Sequence, residues 1–512
     1  MSPRASWTSM AGFVLAAVGS AVGLGNIWRF SYMAYRSGGG AFLIPYISAL
    51  FIIGIPILLL EFALGHWRKG SAPKAFYEIN ENWEWLGWWA VCFIMFGIVI
   101  YYNVIISWCL NYFVFSFNMG WGENANAFFF EDFLKLSDNI GELGGVNWNI
   151  AAGSGVIWLI CWFICYRGIA RGIEKANKIF MPVLFILTLI LIIWTVLLPE
   201  SREGIYYYLR PDFSRLNDIE IWISAVTQNF FTLSIGFGIM IAYASYLPKK
   251  ASLVKFALIT SLLDHGYAIM AGFAVFGILG YMSAVQNIPI DEVVTEGIGL
   301  AFVAFPQAIS TLPFGIFNNL FGIIFFFCLV IAGISSAISI MEAFTSAILD
   351  KFHFHRRKVV SVLSLIGFAG GFVFTNSSGL YFLDIVDHFI NNYGLLTVGI
   401  LECLIVGWWI KDKLLINHIV NSSPGTARQK FILHHFLTGF WSYCIRFLCP
   451  LILIIILVLS LRQDITRPYE EYPVIYLFLL GVGCLIITHI VGFFFSRLRW
   501  KEEPAEDYWD EF

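Results

Sequence analysis

The sequence predicts an all-α membrane protein, and three observations support this fold class. The 512 residues are 59% hydrophobic and only 13% charged, whereas an ordinary soluble domain has about 25% charged residues. Apolar stretches of roughly 20 residues, long enough to cross a hydrocarbon core of about 30 Å, recur along the whole chain. Two of these stretches are interrupted by glycines. We therefore expect one membrane domain in contact with lipid, and not a soluble enzyme.

Hydropathy predicts about twelve membrane spans. Their approximate ranges are 10–36, 41–66, 86–116, 150–168, 175–198, 219–246, 254–282, 316–349, 357–375, 381–410, 438–461 and 472–496. The expected division is an N-terminal gate segment (1–9), spans one to five (10–198), spans six to ten (199–413), two last spans (414–496) and a tail (497–512). Two long connections, at about 117–149 and 283–315, are expected to pack as short helices, the second as a lid.

Lysine and arginine are concentrated in alternate connections, which predicts that these connections are cytoplasmic. They follow the second, fourth, sixth, eighth and last spans and hold Arg68, Lys69, Arg167, Arg171, Lys175, Lys178, Lys249, Lys250, Lys255, Lys351, Arg356, Arg357, Lys358, Arg497, Arg499 and Lys501. The opposite connections are mixed or acidic. Both termini are therefore predicted to be cytoplasmic.

Glycines interrupt the first predicted span at Gly19, Gly23 and Gly25, and the sixth at Gly236 and Gly238. Unwound backbone within a membrane is tolerated where it is buried or lines a cavity, because lipid cannot satisfy free N–H and C=O groups. Half-helix N-termini then direct N–H groups toward an anion, and C-terminal ends offer carbonyl oxygens to cations. The two breaks predict a binding site, although such glycines also allow helices simply to pack closely.

Longer motifs resemble the signature of the neurotransmitter:sodium symporter family. These motifs are GSAVGLGNIWRF at 19–30, SGGGAFLIPY at 37–46, TQNFFTLSIGFG at 227–238, AGFAVFGILGYM at 271–282, AGISSAISIMEA at 332–343 and LDIVDHF at 383–389. The resemblance covers nearly the whole chain and is to prokaryotic members similar to the bacterial leucine transporter. It implies two inverted repeats of five helices, with broken helices 1 and 6, plus two extra helices.

The resemblance also implies a function. It is the sodium-coupled import, by alternating access across the plasma (inner) membrane, of a small neutral or aliphatic amino acid. The cargo carboxylate would meet the N–H groups of Leu24 and Gly25, the Tyr102 hydroxyl and a sodium ion. Gly23 stands where the family's monoamine carriers have an aspartate, so a zwitterionic cargo is expected. The implied substrate residues are Ala21, Leu24, Gly25, Ile98, Tyr102, Phe231, Thr232, Ser234, Phe237, Ser336 and Ile340.

Two sodium sites are implied, both built from the hard oxygen ligands that sodium prefers. The first would use the carbonyl of Ala21 and the side chains of Asn26, Thr232 and Asp264. The second would use the carbonyls of Gly19, Val22 and Ala332 and the hydroxyls of Ser335 and Ser336.

Asp264 departs from the family pattern, which commonly has asparagine there, and Ala268 follows where the family has glutamate or serine. The other positions that match the family's chloride site are Tyr46, Gln228 and Thr232. A buried negative charge has to be compensated, and sodium is the nearest candidate. We hypothesise that the Asp264 carboxylate replaces chloride, with proton movement on the return step. The alternative is a protonated Asp264 that acts as an asparagine isostere while chloride still binds.

Charged residues near both ends of the site resemble gates. Arg29 and Asp387 match the outer gate, with Tyr102 and Phe231 as an aromatic lid beneath them. The inner gate is matched by Arg4, Trp7, Ser245, Tyr246 and Asp350. Arg4 fits equally well as a charge that orients the first span. Two more charged residues within spans, Glu61 and Glu342, receive no role from the sequence.

Two other functions stay open at this point. One is an amino-acid sensor that keeps the fold without transport, since fold does not settle function. The other is a carrier of betaine, GABA or taurine type substrates. An enzyme is not expected, because the sequence has no evident nucleophile and base pair or metal-ligand cluster. No nucleic-acid partner is expected either, and the sequence leaves the oligomeric state open.

Overall fold

The structure is a computed structural model that describes residues 5–293, 297–315, 317–410 and 412–502. Every regular element within these residues is a helix. The prediction of an all-α membrane protein is confirmed.

Among the described residues, ten helices are long and apolar enough to cross a membrane, and one bent helix pair makes an eleventh. The bent pair is Met10–Ala21 with Gly25–Arg36 (span 1). The ten helices are Gly39–Arg68 (span 2), Glu81–Phe115 (span 3), Trp148–Tyr166 (span 4), Ile169–Val196 (span 5), Leu253–Gln286 (span 7), Phe317–Phe352 (span 8), Arg356–Phe374 (span 9), Gly379–Trp409 (span 10), Ala427–Glu471 (span 11) and Val474–Arg497 (span 12).

The predicted sixth span consists of two shorter helices, Ile219–Thr232 and Ile239–Ser245 (together span 6). Neither half is long enough to cross a membrane alone, which explains why this span is missing from the long apolar helices. Span 11 begins about ten residues earlier than the predicted 438, because the polar stretch Ala427–Phe436 continues into it without a break.

Short helices in the connections were largely missed by hydropathy, since they do not have the length of a span. They are Ala72–Tyr77, Ser201–Leu209 and Lys413–Ser422. The two long connections contain helices as predicted, at Ala125–Phe133 and Gly297–Thr311.

Span 1 bends by 60° between its two halves. The first half ends at Val22, whose backbone is extended (φ −74°, ψ 99°). The N–H of Gly23 is not used by the helix and is satisfied by the Asn26 side-chain oxygen at 2.8 Å. The chain therefore breaks where the glycines predict it.

Span 6 breaks over residues 233–238. Gly236 and Gly238 have positive φ (76° and 67°), and so does Ser234 (φ 54°). A serine in this left-handed region is strained and has to be held by its surroundings. The Ser234 hydroxyl donates to the carbonyl of Ser20 in span 1 at 3.2 Å. The two breaks thus contact each other directly.

The broken spans lie at the centre of the bundle. The first half of span 1 packs against spans 5, 7 and 8, and both halves of span 6 pack against span 2. Span 3, in contact with span 8, is almost wholly buried, whereas most residues in the apolar stretches of spans 5, 9, 11 and 12 are not buried inside the bundle. An exposed apolar surface of this size suits a lipid environment.

Candidate substrate and ion site

Three of the side chains predicted for the first sodium site form one buried cluster. The Asn26 side-chain nitrogen donates to Thr232 Oγ1 and to Asp264 Oδ1, both at 2.8 Å. The Thr232 hydroxyl lies 3.0 and 3.1 Å from the two Asp264 carboxylate oxygens. The three residues come from span 1, span 6 and span 7. The cluster joins both broken spans around a single carboxylate.

The backbone at the break in span 1 contacts span 3 and span 8. The Leu24 N–H donates to the Tyr102 hydroxyl at 3.2 Å. A Cβ atom built on Gly23 would lie 2.8 Å from Ser336 Oγ and 3.0 Å from the Tyr102 hydroxyl. Position 23 therefore has no room for a side chain unless these two groups move.

The residues predicted for the second sodium site are only partly assembled. Ser336 Oγ lies 3.2 Å from the carbonyl of Ser20 and 3.4 Å from that of Ala332. Ser335 instead donates to the Ala332 carbonyl within its own helix at 2.8 Å. Gly19 and Val22 are buried on either side of Ser20 and its neighbour Ala21. The contact between Ser336 and Ser20 places span 8 against the end of the first half-helix.

A small cavity of about 30 Å³ lies between the two breaks. All the predicted substrate residues except Leu24 line it, namely Ala21, Gly25, Ile98, Tyr102, Phe231, Thr232, Ser234, Phe237, Ser336 and Ile340. Its volume is that of about one water molecule. An amino acid therefore requires the aromatic and aliphatic side chains around the cavity to move apart.

A large vestibule of about 2160 Å³ leads to this site from one side of the bundle. Its inner end is formed by Leu24, Gly25, Tyr102 and Phe231, so it meets the small cavity at the two aromatic rings. The site is thus approached from one side, with Tyr102 and Phe231 between it and the open space.

The predicted outer-gate residues both line this vestibule but do not pair with each other in the described structure. The Arg29 guanidinium lies over the Phe231 ring, 4.8 Å from its centroid. Asp387 accepts a hydrogen bond of 2.6 Å from the Tyr101 hydroxyl. Each of the two predicted gate residues thus contacts an aromatic side chain on the vestibule wall.

The opposite side of the site is closed by residues of the predicted inner gate. Trp7 donates from its indole nitrogen to the Tyr243 carbonyl at 2.9 Å and from its backbone to the Tyr246 carbonyl at 3.4 Å. Asp350 accepts from the Ser71 N–H at 2.7 Å, and Ser245 bonds to the carbonyl of its own helix. Arg4 lies outside the described residues.

Glu342 and Arg356 also belong to this closed side, although the sequence alone assigned no role to them there. The Glu342 carboxylate is fully buried and accepts from the Tyr246 hydroxyl at 2.8 Å. Both terminal nitrogens of the Arg356 guanidinium also donate to it, one of them at 3.0 Å. The signal was present in the sequence, because a charged residue within a span is seldom without a function.

Glu61 is the second residue whose function the sequence left open. Its carboxylate accepts a hydrogen bond of 2.6 Å from the N–H of Gly236. This N–H belongs to the break in span 6, where no helical partner is available. Glu61 therefore holds the unwound segment against span 2.

His265 was not singled out from the sequence, although it follows Asp264. The Asn229 amide nitrogen donates to the carbonyls of Tyr46 and Ala225, so its oxygen faces His265 Nε2, 2.9 Å away, as an acceptor. His265 Nδ1 lies 3.1 Å from Asp264 Oδ2. The same nitrogen also lies 3.1 Å from the Ser261 carbonyl oxygen, so His265 is held between span 6 and its own helix.

The residues that match a chloride site surround the same carboxylate. The Tyr46 ring stacks on the His265 ring with centroids 4.3 Å apart. Among the described residues, the Tyr46 hydroxyl and the Gln228 side-chain oxygen are buried without a hydrogen-bond partner. The Gln228 nitrogen donates to the Gly25 carbonyl at 3.2 Å, and Ala268 is buried. Buried polar atoms without partners are uncommon and mark a place where a ligand or water completes the network.

Comparison with known proteins identifies the family. Residues 4–127 and 120–502 match the sequence model of the sodium:neurotransmitter symporter family. The chain belongs to the sodium:neurotransmitter symporter family. The predicted family is thus confirmed, and the protein is a sodium-dependent transporter with many membrane-spanning helices.

Individual members of the symporter family are similar along most of their length. An uncharacterised sodium-dependent transporter of Methanocaldococcus jannaschii is 46% identical over 498 residues, covering 97% of this chain and 98% of the relative. The human sodium- and chloride-dependent GABA transporter 2 is 33% identical over 457 residues, or 81% of this chain and 75% of the relative. Its mouse counterpart is 34% identical over 446 residues, or 79% and 73%.

Proposed function

We propose that this symporter imports a small neutral or aliphatic amino acid together with sodium. The observation that carries the proposal is the position of the Asn26, Thr232 and Asp264 cluster beside the unwound backbone of the broken span 1. The cluster supplies oxygen atoms for a sodium ion, and the start of the second half-helix supplies N–H groups for a carboxylate. One small volume thus suits both the ion and the anionic end of an amino acid.

The contacts of the cargo follow from this placement. Its carboxylate would replace the Leu24 N–H as partner of the Tyr102 hydroxyl and would contact the first sodium ion directly. Its amino group would lie near the carbonyl ends of the first half of span 1 and of Ile219–Thr232. Ile98, Phe237 and Ile340 would surround a side chain that has no charge to be compensated. Because Gly23 has no side-chain charge, the cargo would have to bring its own carboxylate to balance its amino group.

Transport would proceed by alternating access. The vestibule would be the extracellular side, and the network of Trp7, Tyr246, Glu342 and Arg356 would be the cytoplasmic barrier. Sodium and cargo would draw Tyr102 and Phe231 over the site before that network opens. This orientation puts both termini in the cytoplasm, in agreement with the positions of lysine and arginine.

The test is uptake by the purified protein in proteoliposomes. We expect a sodium gradient, but not an equal potassium gradient, to drive accumulation of one or more neutral amino acids. The screen contains neutral amino acids, betaine, GABA and taurine, and Asn26→Ala serves as the variant that loses a sodium ligand. If the protein binds a neutral amino acid in sodium but accumulates none of these compounds, it is a sensor and the proposal is wrong.

A second cargo class has support of its own. The human and mouse relatives are named as GABA transporters, and GABA carries its amino group farther from its carboxylate than an α-amino acid does. Accumulation of GABA, betaine or taurine in preference to α-amino acids would assign the protein to that class. The carboxylate or sulfonate would still occupy the break in span 1.

We also propose that Asp264 replaces chloride. As an ionised group, the carboxylate would place a full negative charge beside the first sodium ion, which is the position that the chloride-site residues surround. The human relative is named as chloride-dependent, so this departure would separate the two proteins functionally.

The chloride proposal predicts equal uptake in chloride and in gluconate at the same sodium gradient. Asp264→Asn removes the charge, so its uptake should require chloride. Asp384→Asn, in a vestibule carboxylate bound by Tyr469 and Tyr472, is the control and should stay chloride-independent. Chloride-dependent uptake by the wild type would mean that Asp264 is protonated and acts as an asparagine isostere.

A further inference from the structure

A crevice of about 330 Å³ lies where span 4 ends and span 5 begins, on the Trp7 side of the bundle. Its lining residues are Arg167, Ala170, Arg171, Lys175 and Lys178. Four of the five are cations, in a chain whose formal net charge is −3. Cations that line one crevice repel one another, and a bound anion relieves this repulsion.

The protein itself supplies one carboxylate to this crevice, and that carboxylate is occupied. Glu174 is buried, pairs with Lys178 at 2.7 Å and accepts from the Thr8 backbone N–H at 2.7 Å. In the part of the chain that the structure describes, Arg167, Arg171 and Lys175 form no ion pair. Three exposed cations therefore face one crevice without a counter-charge.

Exposed apolar residues adjoin the crevice on both of its helices. Phe163, one turn before Arg167, is 51% exposed, and Ile179, one turn after Lys175, is 54% exposed. Farther along the same helices, Leu159 and Ile186 are also exposed. The cations thus stand where the apolar outer surface of two neighbouring spans ends, which is the depth of the phosphates in a bilayer.

We propose that this crevice binds the phosphodiester headgroup of an anionic phospholipid, whose acyl chains lie along spans 4 and 5. Arginine is suited to this ligand, because its planar group can donate two parallel hydrogen bonds to a phosphate. A general excess of positive charge in cytoplasmic connections accounts for the presence of such residues. It does not account for the convergence of four of them on one crevice beside exposed apolar helices.

The experiment uses the full chain in detergent, with no sodium gradient and no cargo, so that its outcome is independent of the proposed transport function. Phosphatidylglycerol and phosphatidylcholine with the same acyl chains are added, and retained lipid is counted by native mass spectrometry while the apparent melting temperature is followed. We expect tighter retention of phosphatidylglycerol and a larger rise in melting temperature with it.

The triple variant Arg167→Gln, Arg171→Gln, Lys175→Gln should bind phosphatidylglycerol roughly 100-fold more weakly, because each cation near a lipid surface contributes about one factor of five. Arg171→Gln alone should give about a fivefold loss. The matched control Lys249→Gln, Lys250→Gln, Lys413→Gln removes the same charge from exposed lysines outside the crevice and should bind as the wild type does.

Four results would overturn the inference. The triple variant could keep the preference for phosphatidylglycerol, or the control could lose it equally, which would indicate a nonspecific charge effect. Inorganic phosphate could stabilise the protein as strongly as the lipid, which would make the ligand a free anion. Deletion of residues 503–512, which contain Glu503, Glu506, Asp507, Asp510 and Glu511, could abolish the difference between variant and wild type, which would make this tail the occupant.

Discussion

Single residues decide how the buried charges of this symporter are compensated. Asp264 is held by Asn26, Thr232 and His265, whereas Glu342 is held by Arg356 and Tyr246. Asp264 could be singled out from the sequence because it departs from the family pattern. His265 and Arg356 could not, because only the fold brings a histidine of span 7 against Asn229, or an arginine of span 9 against span 8.

The Glu342 and Arg356 pair makes a prediction at the residue scale. Glu342→Gln leaves the guanidinium without its counter-charge, and breaking a buried ion pair costs roughly 3–5 kcal/mol. Arg356 keeps 20% of its side chain exposed, so we expect the lower end of this range. The apparent melting temperature in detergent should fall and sodium-driven uptake should decrease.

The control for Glu342 is the exposed pair of Arg467 and Glu471, in which the side chains are 77% and 74% exposed. Exposed ion pairs typically contribute about 0.2–1 kcal/mol. Glu471→Gln should therefore leave both the melting temperature and uptake close to those of the wild type. Equal effects of the two substitutions would show that the Glu342 pair does not stabilise the closed side.

At the scale of elements, the breaks in spans 1 and 6 organise the site. Their glycines were visible in the sequence, but their contacts were not. Glu61 binds the N–H of Gly236, and the Ser234 hydroxyl binds Ser20, so each break depends on a residue far away in the chain. Hydropathy could find the spans and their interruptions because length and apolarity are local properties. It could not find the residues that hold the unwound segments.

A prediction at this scale concerns the contact between span 2 and the second half of span 6. A Cβ atom built on Gly65 would lie 2.0 Å from the backbone carbonyl oxygen of Ile241. Backbone cannot give way as a flexible side chain does, so Gly65→Ala should push Ile239–Ser245 away from span 2. Overpacking of this kind typically costs about 1–3 kcal/mol. We expect a lower apparent melting temperature and slower uptake.

Gly439 in span 11 is the matched control, since a Cβ atom built there meets nothing within 4 Å. Gly439→Ala should be neutral or slightly stabilising, because alanine favours a helix over glycine by up to about 1 kcal/mol. A Gly65→Ala protein as stable and as active as Gly439→Ala would contradict the close packing described for spans 2 and 6.

At the scale of the whole molecule, the fold class, the family and the two breaks could be predicted from the sequence. Which side of the site is open and which is closed could not be predicted from the sequence. The vestibule of about 2160 Å³ is open while Trp7 and Glu342 close the other side, and this asymmetry depends on small differences in packing that no motif encodes. Arg29 and Asp387 illustrate the point, because the family pattern predicts their role but not their separation.

The hydrogen bonds within the empty site bear on the return step of the proposed transport cycle. In an alternating-access cycle, the site changes its access from one side of the membrane to the other with ligands bound, and changes back without them. Buried polar groups without partners would oppose this return step. Here the Leu24 N–H has Tyr102, the Gly23 N–H has Asn26, and Asp264 has Asn26 and Thr232 as partners. In the proposed transport cycle, these internal hydrogen bonds would replace the contacts of the ligands when the site is empty.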